Sequence, residues 1–468
     1  MRHATLLGLV ASVSAGHISV PLLREQFRHS NLHIKRDDNA DTLTLKALND
    51  ISSGGYYSEF DIGTPPQRIS FQLDTGSSDT WVNSDESDLC SDMEAQRATG
   101  LFCGETFDSE KSKTFELVDR NGFNITYLDT RNIQGDYFED TVTIGDVKVK
   151  KQQLGLALKS VRPTGIMGLG FSSNVASEEK YKTIIDNMVD QGFIETPAFS
   201  LYLNDLSTDA GSILFGGIDA EKFIGDLATL PLLTENNITK EITSYNVAIE
   251  GFDVRSPKGE HTVDIPDLNS KAILDSGSTI SLLPDKQVQE LWDEFDVISL
   301  QELPVPLIDC AYAGDKGRGY IFEFLFANKT IQVPIDEMVI DAFGSLQDQL
   351  LSDRLFKGWE GVCMFGIGST ASFGINTDQF TLLGATFLRS AYVVYDMANK
   401  QVAIAQANLN STDSNIVEIT AGDLPKVTGV DESEGNDGID DAAVGRMPPP
   451  VMAVAAVVGL LGVFMVAL

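Results

Sequence analysis

Histidine is scarce in this chain of 468 residues: there are five, at positions 3, 17, 29, 33 and 261. Four of them precede the dibasic pair Lys35-Arg36, and His261 lies in a polar stretch, Ser256-Pro257-Lys258-Gly259-Glu260-His261, that reads as a hairpin tip. Serine and cysteine hydrolases need an imidazole base placed by the fold. Zinc hydrolases need clustered ligands. Neither set can be assembled from one histidine at a hairpin tip. Basic residues are also few, 34 Lys and Arg against 68 Asp and Glu, for a net charge of −34. That balance excludes nucleic acid as a partner and makes anionic surfaces poor ones. Cysteine is limited to four residues, and between the two termini no apolar run approaches the ~20 residues of a membrane span. What remains in quantity is carboxylate, and the reading calls for no metal and no cofactor.

Two carboxylates stand out. Asp74-Thr75-Gly76-Ser77 follows the apolar run Ile69-Ser70-Phe71-Gln72-Leu73, and Asp275-Ser276-Gly277-Ser278 follows Ala272-Ile273-Leu274. Either copy alone reads as a turn. Two copies, each closing a strand-like segment and spaced for one per lobe of a duplicated protein, predict a facing pair. Two carboxylates brought together cannot both ionise freely, so one keeps a proton. Such a pair can activate water and protonate a leaving amine, as peptide hydrolysis requires.

Extended to Phe71-Gln72-Leu73-Asp74-Thr75-Gly76-Ser77-Ser78-Asp79-Thr80-Trp81-Val82 and to Ala272-Ile273-Leu274-Asp275-Ser276-Gly277-Ser278-Thr279, these segments resemble the pepsin-like aspartic proteases. The resemblance runs from about Gly55 to about Ala407. Tyr56-Tyr57 and Gly63-Thr64-Pro65-Pro66-Gln67 look like the family's first strand and turn. Gly165-Ile166-Met167-Gly168-Leu169-Gly170 and Leu382-Leu383-Gly384 look like the segments that cross behind each catalytic loop, and Ser390–Asp396 like a late strand. The family implies an all-β, bilobal fold with a few short helices. It implies Asp74 and Asp275 as the catalytic pair, supported by Thr75, Gly76, Ser77, Ser276, Gly277 and Ser278. Tyr127 looks like the tyrosine of the flap that closes over substrate, with Trp81 as its hydrogen-bond partner; Leu128 departs from the usual Tyr-Gly flap. Asp129, two residues past Tyr127, is an expected substrate contact, since some fungal relatives with aspartate there accept lysine before the scissile bond; a solvated turn residue is the alternative. The resemblance also pairs Cys90 with Cys103 and Cys310 with Cys363 as disulfides.

Along the chain, residues 1–15 read as a secretory signal peptide and residues 16–36 as a basic propeptide ending at Lys35-Arg36, with a disordered linker as the alternative. Residues 37–225 and 226–408 are the expected N- and C-terminal lobes. Short β-rich runs fill them, among them Ile69–Leu73, Thr141–Ile144, Ser212–Phe215, Phe322–Phe326 and Ala391–Tyr395; helices are expected over 182–191, 285–295 and 340–350. Residues 409–450, acidic and poor in aromatics, read as a disordered stalk. The apolar tail 451–468 has no following basic residues, so it reads as a glycolipid (GPI) attachment signal rather than a membrane span. Attachment is expected at Asn436, or at Gly438 or Asp441. Sequons stand at Asn124, Asn237, Asn328 and Asn410, with Asn124 inside an expected strand. This layout is most similar to the fungal yapsins, GPI-anchored endopeptidases that prefer basic residues. The expected partners are protein and peptide substrates and, through the lipid, a membrane; the chain is expected to be a monomer. A non-catalytic surface protein on the same fold and a soluble secreted protease are the competing readings.

Overall fold

Where Val, Ile, Phe and Tyr recur at short intervals between Gly, Asn and Asp turns, the chain forms strands. In Val147–Lys159 the apolar Val147 and Val149 point inward while Lys148 and Lys150 are exposed, the period-two pattern of a half-buried strand. The computed structural model describes residues 18–23 and 55–431, apart from breaks at 100–101, 208–209, 235–239, 266–267, 269, 301–302 and 345–346. The fold is mostly β, with short helices among the described residues. The expected strands lie inside Gln67–Asp74, Asn132–Ile144, Ala210–Phe215, Ile321–Phe326 and Ala391–Asp396.

A 13-stranded sheet runs through the N-terminal lobe and on into the base that both lobes share. At the base, Phe223–Pro231 pairs with Gln401–Ala407, which pairs with Ala391–Asp396, which pairs with Ala198–Tyr202. The expected lobe boundary at Gly225 therefore falls inside a strand. Gly225 takes a left-handed φ of 68° there, and the register shifts between Ile224 and Ala228. The remainder of the C-terminal lobe is built on a five-stranded and two four-stranded sheets. Below the cleft the lobes meet over aromatic rings: Phe199 stacks on Tyr395 with centroids 4.7 Å apart, and Tyr245 meets Tyr395 edge-on at 4.6 Å.

Three expectations change. The helix expected over 340–350 is confined to Gln347–Leu351, because Val339–Ile340 is a strand and Gly344 takes a positive φ of 40°. The stalk expected from 409 begins later. Ile416–Glu418 pairs with Gly217–Asp219, Ile419 is buried, and Val430 and Thr428 bridge to Ile224 and Asp226. Sparse apolar residues suffice to hold this segment against the base. In the expected propeptide, Ile18–Leu23 is a strand inserted between Ala210–Phe215 and Tyr57–Ile62. The signal peptide, the rest of the propeptide, Asn237, the anchor candidates Asn436, Gly438 and Asp441, and the apolar tail lie outside the described residues. No helix among the described residues is long and apolar enough to cross a membrane.

Candidate active site

In each lobe a strand leads to an aspartate, ending on Asp74 in one and just before Asp275 in the other, and a second strand runs parallel beside it. Gln67–Asp74 lies along Gly165–Gly168 with Leu73 opposite Met167; Ser270–Leu274 lies along Phe380–Leu383 with Leu274 opposite Leu383. The crossing segments carry glycine where they pass the loops. A Cβ on Gly168 would stand 2.4 Å from the Ser78 carbonyl carbon, and one on Gly384 would stand 2.4 Å from the Ile280 carbonyl oxygen. Only a residue without a side chain allows that approach.

The two loops repeat the same hydrogen bonds. Gly76 N–H donates to Asp74 Oδ1 at 2.8 Å and Ser77 Oγ donates to Oδ2 at 2.5 Å; Gly277 N–H donates to Asp275 Oδ1 at 2.8 Å and Ser278 Oγ to Oδ2 at 2.7 Å. Beneath them the loops grip each other. Thr75 N–H donates to Ser276 Oγ (3.1 Å), Ser276 N–H to Thr75 Oγ1 (2.9 Å), Thr75 Oγ1 to the Leu274 carbonyl (2.7 Å) and Ser276 Oγ to the Leu73 carbonyl (2.8 Å). Every polar atom of this buried grip has a partner, which locks the lobes in register.

The carboxyl groups of Asp74 and Asp275 face each other. A Cβ on Gly76 would lie 2.5 Å from Asp275 Oδ1, and one on Gly277 would lie 2.3 Å from Asp74 Oδ1. Both aspartates are buried. Burial, and next the charge of Asp74, holds the Asp275 carboxyl well above the usual carboxylate range, against the hydrogen bonds from Ser278 and Gly277. One proton is thus retained between the two groups where an isolated carboxyl would lose it.

Above the pair, the hairpin of Glu116–Thr126 and Asn132–Ile144 ends in a tip over residues 127–131. Trp81 Nε1 donates to the Tyr127 hydroxyl at 2.6 Å, and burial keeps that phenol neutral by raising its pKa far above the ordinary value. A cleft of ≈ 330 Å³ opens between tip and aspartates. Its N-terminal wall carries Gln72, Tyr127, Asp129, Arg131 and Arg162; its C-terminal wall carries apolar side chains including Ile280, Leu282, Met364, Phe373 and Leu382.

Residues 55–407 match the model of the eukaryotic aspartyl protease family. The chain belongs to that family. A "probable aspartic-type endopeptidase OPSB" of Arthroderma benhamiae is similar, 34% identical over 437 residues that cover 90% of this chain and 84% of the relative. The opsB protein of Aspergillus oryzae is 36% identical over 375 residues, 79% of this chain and 72% of the relative. An "acid protease" of Saccharomycopsis fibuligera is 33% identical over 366 residues, 75% and 80% of the two chains. This aspartyl protease is accordingly a peptide hydrolase.

Both cysteine pairs of the protease, Cys90–Cys103 and Cys310–Cys363, are bonded. Asp79, inside the first motif but without an expected role, is fully buried. It accepts from the hydroxyls of Tyr137 and Tyr181, each at 2.8 Å, and from the Ala176 N–H at 2.7 Å, tying the loop that follows Asp74 to the lobe. Asp129 sits at the flap tip as expected, but its carboxylate is already taken. Oδ2 lies 3.0 Å from Arg162 Nη2 and 3.4 Å from Arg131 Nε, while Oδ1 accepts from the Arg131 N–H. Arg162 and Gln72 were not among the residues expected at the site. Gln72 lies within the first motif, and Arg162 is a basic residue just before the crossing segment of an acidic chain; those were their only signals.

Proposed function

We propose that Asp74 and Asp275 jointly hold a water and hydrolyse a peptide bond without a covalent intermediate. One carboxylate takes a proton from the water as it attacks the scissile carbonyl, while the other, protonated, gives its proton to the carbonyl oxygen; as the tetrahedral intermediate collapses, the first passes its proton to the departing amine and the second takes one back from a hydroxyl of the intermediate, which restores the starting pair. Ser77, Gly76, Ser278 and Gly277 orient the four carboxyl oxygens, Thr75 and Ser276 keep the loops together, and Tyr127 and Trp81 shape the flap side of the cleft. The observation that carries this reading is the repeated loop, the same set of hydrogen bonds on two facing aspartates. Asp74→Asn and Asp275→Asn should each lower kcat/KM on a peptide substrate at acid pH at least ~10²–10⁴-fold, the usual range for loss of acid–base catalysis, with the fold retained. Substantial activity in either variant overturns the assignment of the pair, and a wild type without peptidase activity would revive the non-catalytic reading.

The finer reading is a secreted, GPI-anchored zymogen. It is supported by the apolar, small-residue start, the dibasic Lys35-Arg36 and the terminal apolar run. A 28%-identical relative from Candida albicans bears the name "Secreted aspartic protease 3". Asn124, Asn328 and Asn410 are exposed and available to glycosylation. N-terminal sequencing of the active form should start at Asp37 or just after, and phosphatidylinositol phospholipase C should release it from cells. A terminus at Gly16 or His17 sinks the propeptide, and failure of release sinks the anchor. A preference for basic residues is assigned to the exposed acidic residues of the Cys90–Cys103 loop and its approach, Asp85, Glu86, Asp92 and Glu94, because Asp129 is committed to two arginines. Exposed charges of this kind discriminate by roughly 1 kcal/mol or less.

A further inference from the structure

Arg162 is on the body of the N-terminal lobe, in the loop between Val147–Lys159 and Gly165–Gly168. Its side chain is only 14% exposed and meets three groups at once. Nη2 pairs with Asp129 Oδ2 at 3.0 Å, Nη1 donates to Gln72 Oε1 at 3.2 Å, and Cζ stands 4.8 Å from the centroid of the Tyr127 ring. Asp129 and Tyr127 belong to the flap tip. Gln72 belongs to the strand that ends at Asp74, and its Nε2 donates across the lobes to the Gly277 carbonyl at 2.9 Å. A single cation therefore joins the flap to the body and, through one amide, to the loop of the facing aspartate.

The tip needs such a hold. It contains no glycine, and Thr130 takes φ +67°, a left-handed conformation that a β-branched residue adopts at a cost and keeps only when its surroundings impose it. Two short-range bonds close the turn, Tyr127 N–H to the Arg131 carbonyl (2.9 Å) and Thr130 N–H to the Tyr127 carbonyl (2.9 Å). Neither of these fixes the tip to the lobe. Trp81 and Arg162 do, and Arg162 holds two tip residues. Lysine cannot replace it, because the planar guanidinium serves Asp129 and Gln72 with separate nitrogens while stacking on a ring.

We propose that Arg162 is the positioning residue of this flap, a latch that holds the tip closed over the aspartate pair through Asp129 and Tyr127. The kinetic consequence rests on the peptidase reading; the structural one does not. The test uses the mature protein and four variants: Arg162→Ala, Arg162→Lys, Asp129→Asn and the double variant Arg162→Ala/Asp129→Asn. Amide hydrogen exchange is followed over residues 124–132 without substrate, alongside kcat and KM on one peptide. Loss of a hydrogen-bonded ion pair of this kind should raise exchange in the flap about tenfold in Arg162→Ala and leave the C-terminal strands unchanged. The kcat should fall by about the same factor, with KM changed much less. Arg162→Lys should lie between, and the double variant should lose clearly less than the sum of the two single effects, because both substitutions break the Arg162–Asp129 pair. Unchanged flap exchange in Arg162→Ala, or single effects that add in the double variant, overturns the latch. Should Arg162→Ala not fold, Asp129→Asn decides, with faster flap exchange supporting the latch and wild-type exchange refuting it. A wild type that exchanges as described but cleaves no peptide would refute the peptidase reading alone.

Discussion

The two lobes treat their aspartates alike and their cleft walls differently. Asp74 and Asp275 each receive one backbone N–H and one serine hydroxyl on matching oxygens, each sits opposite the other lobe's glycine, and each loop is crossed by a parallel strand with a glycine at or just after its end. Above that level the likeness stops. The N-terminal lobe covers the pair with a flap tied down by Trp81 and Arg162, and its wall is charged and aromatic; the C-terminal lobe offers Ile280, Leu282, Met364 and Leu382. Chemistry needs two equivalent carboxyl groups so that each can act as acid or base in turn. Recognition needs one fixed wall for apolar side chains and one wall that moves. On the proposed mechanism the duplicated part of the molecule is the part that reacts, and the part that differs is the flap and the lining of the cleft.

The comparison can be broken most directly at the paired glycines. Gly76→Ala and Gly277→Ala would each place a methyl within 2.5 Å or less of the opposite carboxylate. A carboxyl displaced by about 1 Å loses roughly a hundredfold in kcat, and the two variants should lose similar amounts by steady-state kinetics. A large effect in one lobe alone would mean that the aspartates are not equivalent partners.

Acidity supplies the next largest effect. Burial raises Asp275 and Asp79, and burial together with the charges of Glu337 and Asp205 pushes Asp336 up to about 7; Glu337 itself is paired with the buried Arg389. Unfolded carboxyls titrate near 4. Between these limits the folded chain binds more protons than the unfolded one, so stability falls as pH rises. The Tm of the mature chain should be highest in mild acid and drop steadily from about pH 4 to about pH 7. A Tm that climbs over this range would show that these carboxyl groups are not held protonated. Two of the three, Asp275 and Asp336, belong to the C-terminal lobe, so that lobe should loosen first by hydrogen exchange.

The smallest effect concerns selection. With its carboxylate paired to Arg131 and Arg162, Asp129 has little to offer a lysine side chain. In Asp129→Thr the ratio of kcat/KM for matched peptides with Lys or Leu before the bond should shift by less than about fivefold, the equivalent of 1 kcal/mol. A larger fall in that ratio would make Asp129 the selector that its position in the sequence suggested.

Local chemistry explains what was legible in the sequence. A strand followed by Asp, a small hydroxyl residue and Gly is a self-contained instruction, and its repetition with the two apolar-apolar-Gly crossings indicated fold and dyad together. The partner of Asp129 was not legible, because Arg162 lies far along the chain and only the return of Val147–Lys159 beneath the flap brings it close. Residues 409–431 misled through composition. Ile416, Val417, Ile419, Leu424 and Val427 are too dispersed to look like a core segment, yet they find the open edge of Gly217–Asp219 and a ready apolar surface at the base. The Ile18–Leu23 run was likewise read for the charges that follow it, whereas its backbone pairs as a strand with Ala210–Phe215 in the central sheet.

The claim that both lobes serve one shared-proton pair is tested most directly by the pH dependence of kcat/KM for the mature chain on a peptide without ionisable side chains. The account predicts a bell confined to the acid range: a rising limb as one carboxyl ionises, and a falling limb toward neutrality as the pair gives up its remaining proton. Activity that keeps rising through pH 7 would require a different base and would contradict it.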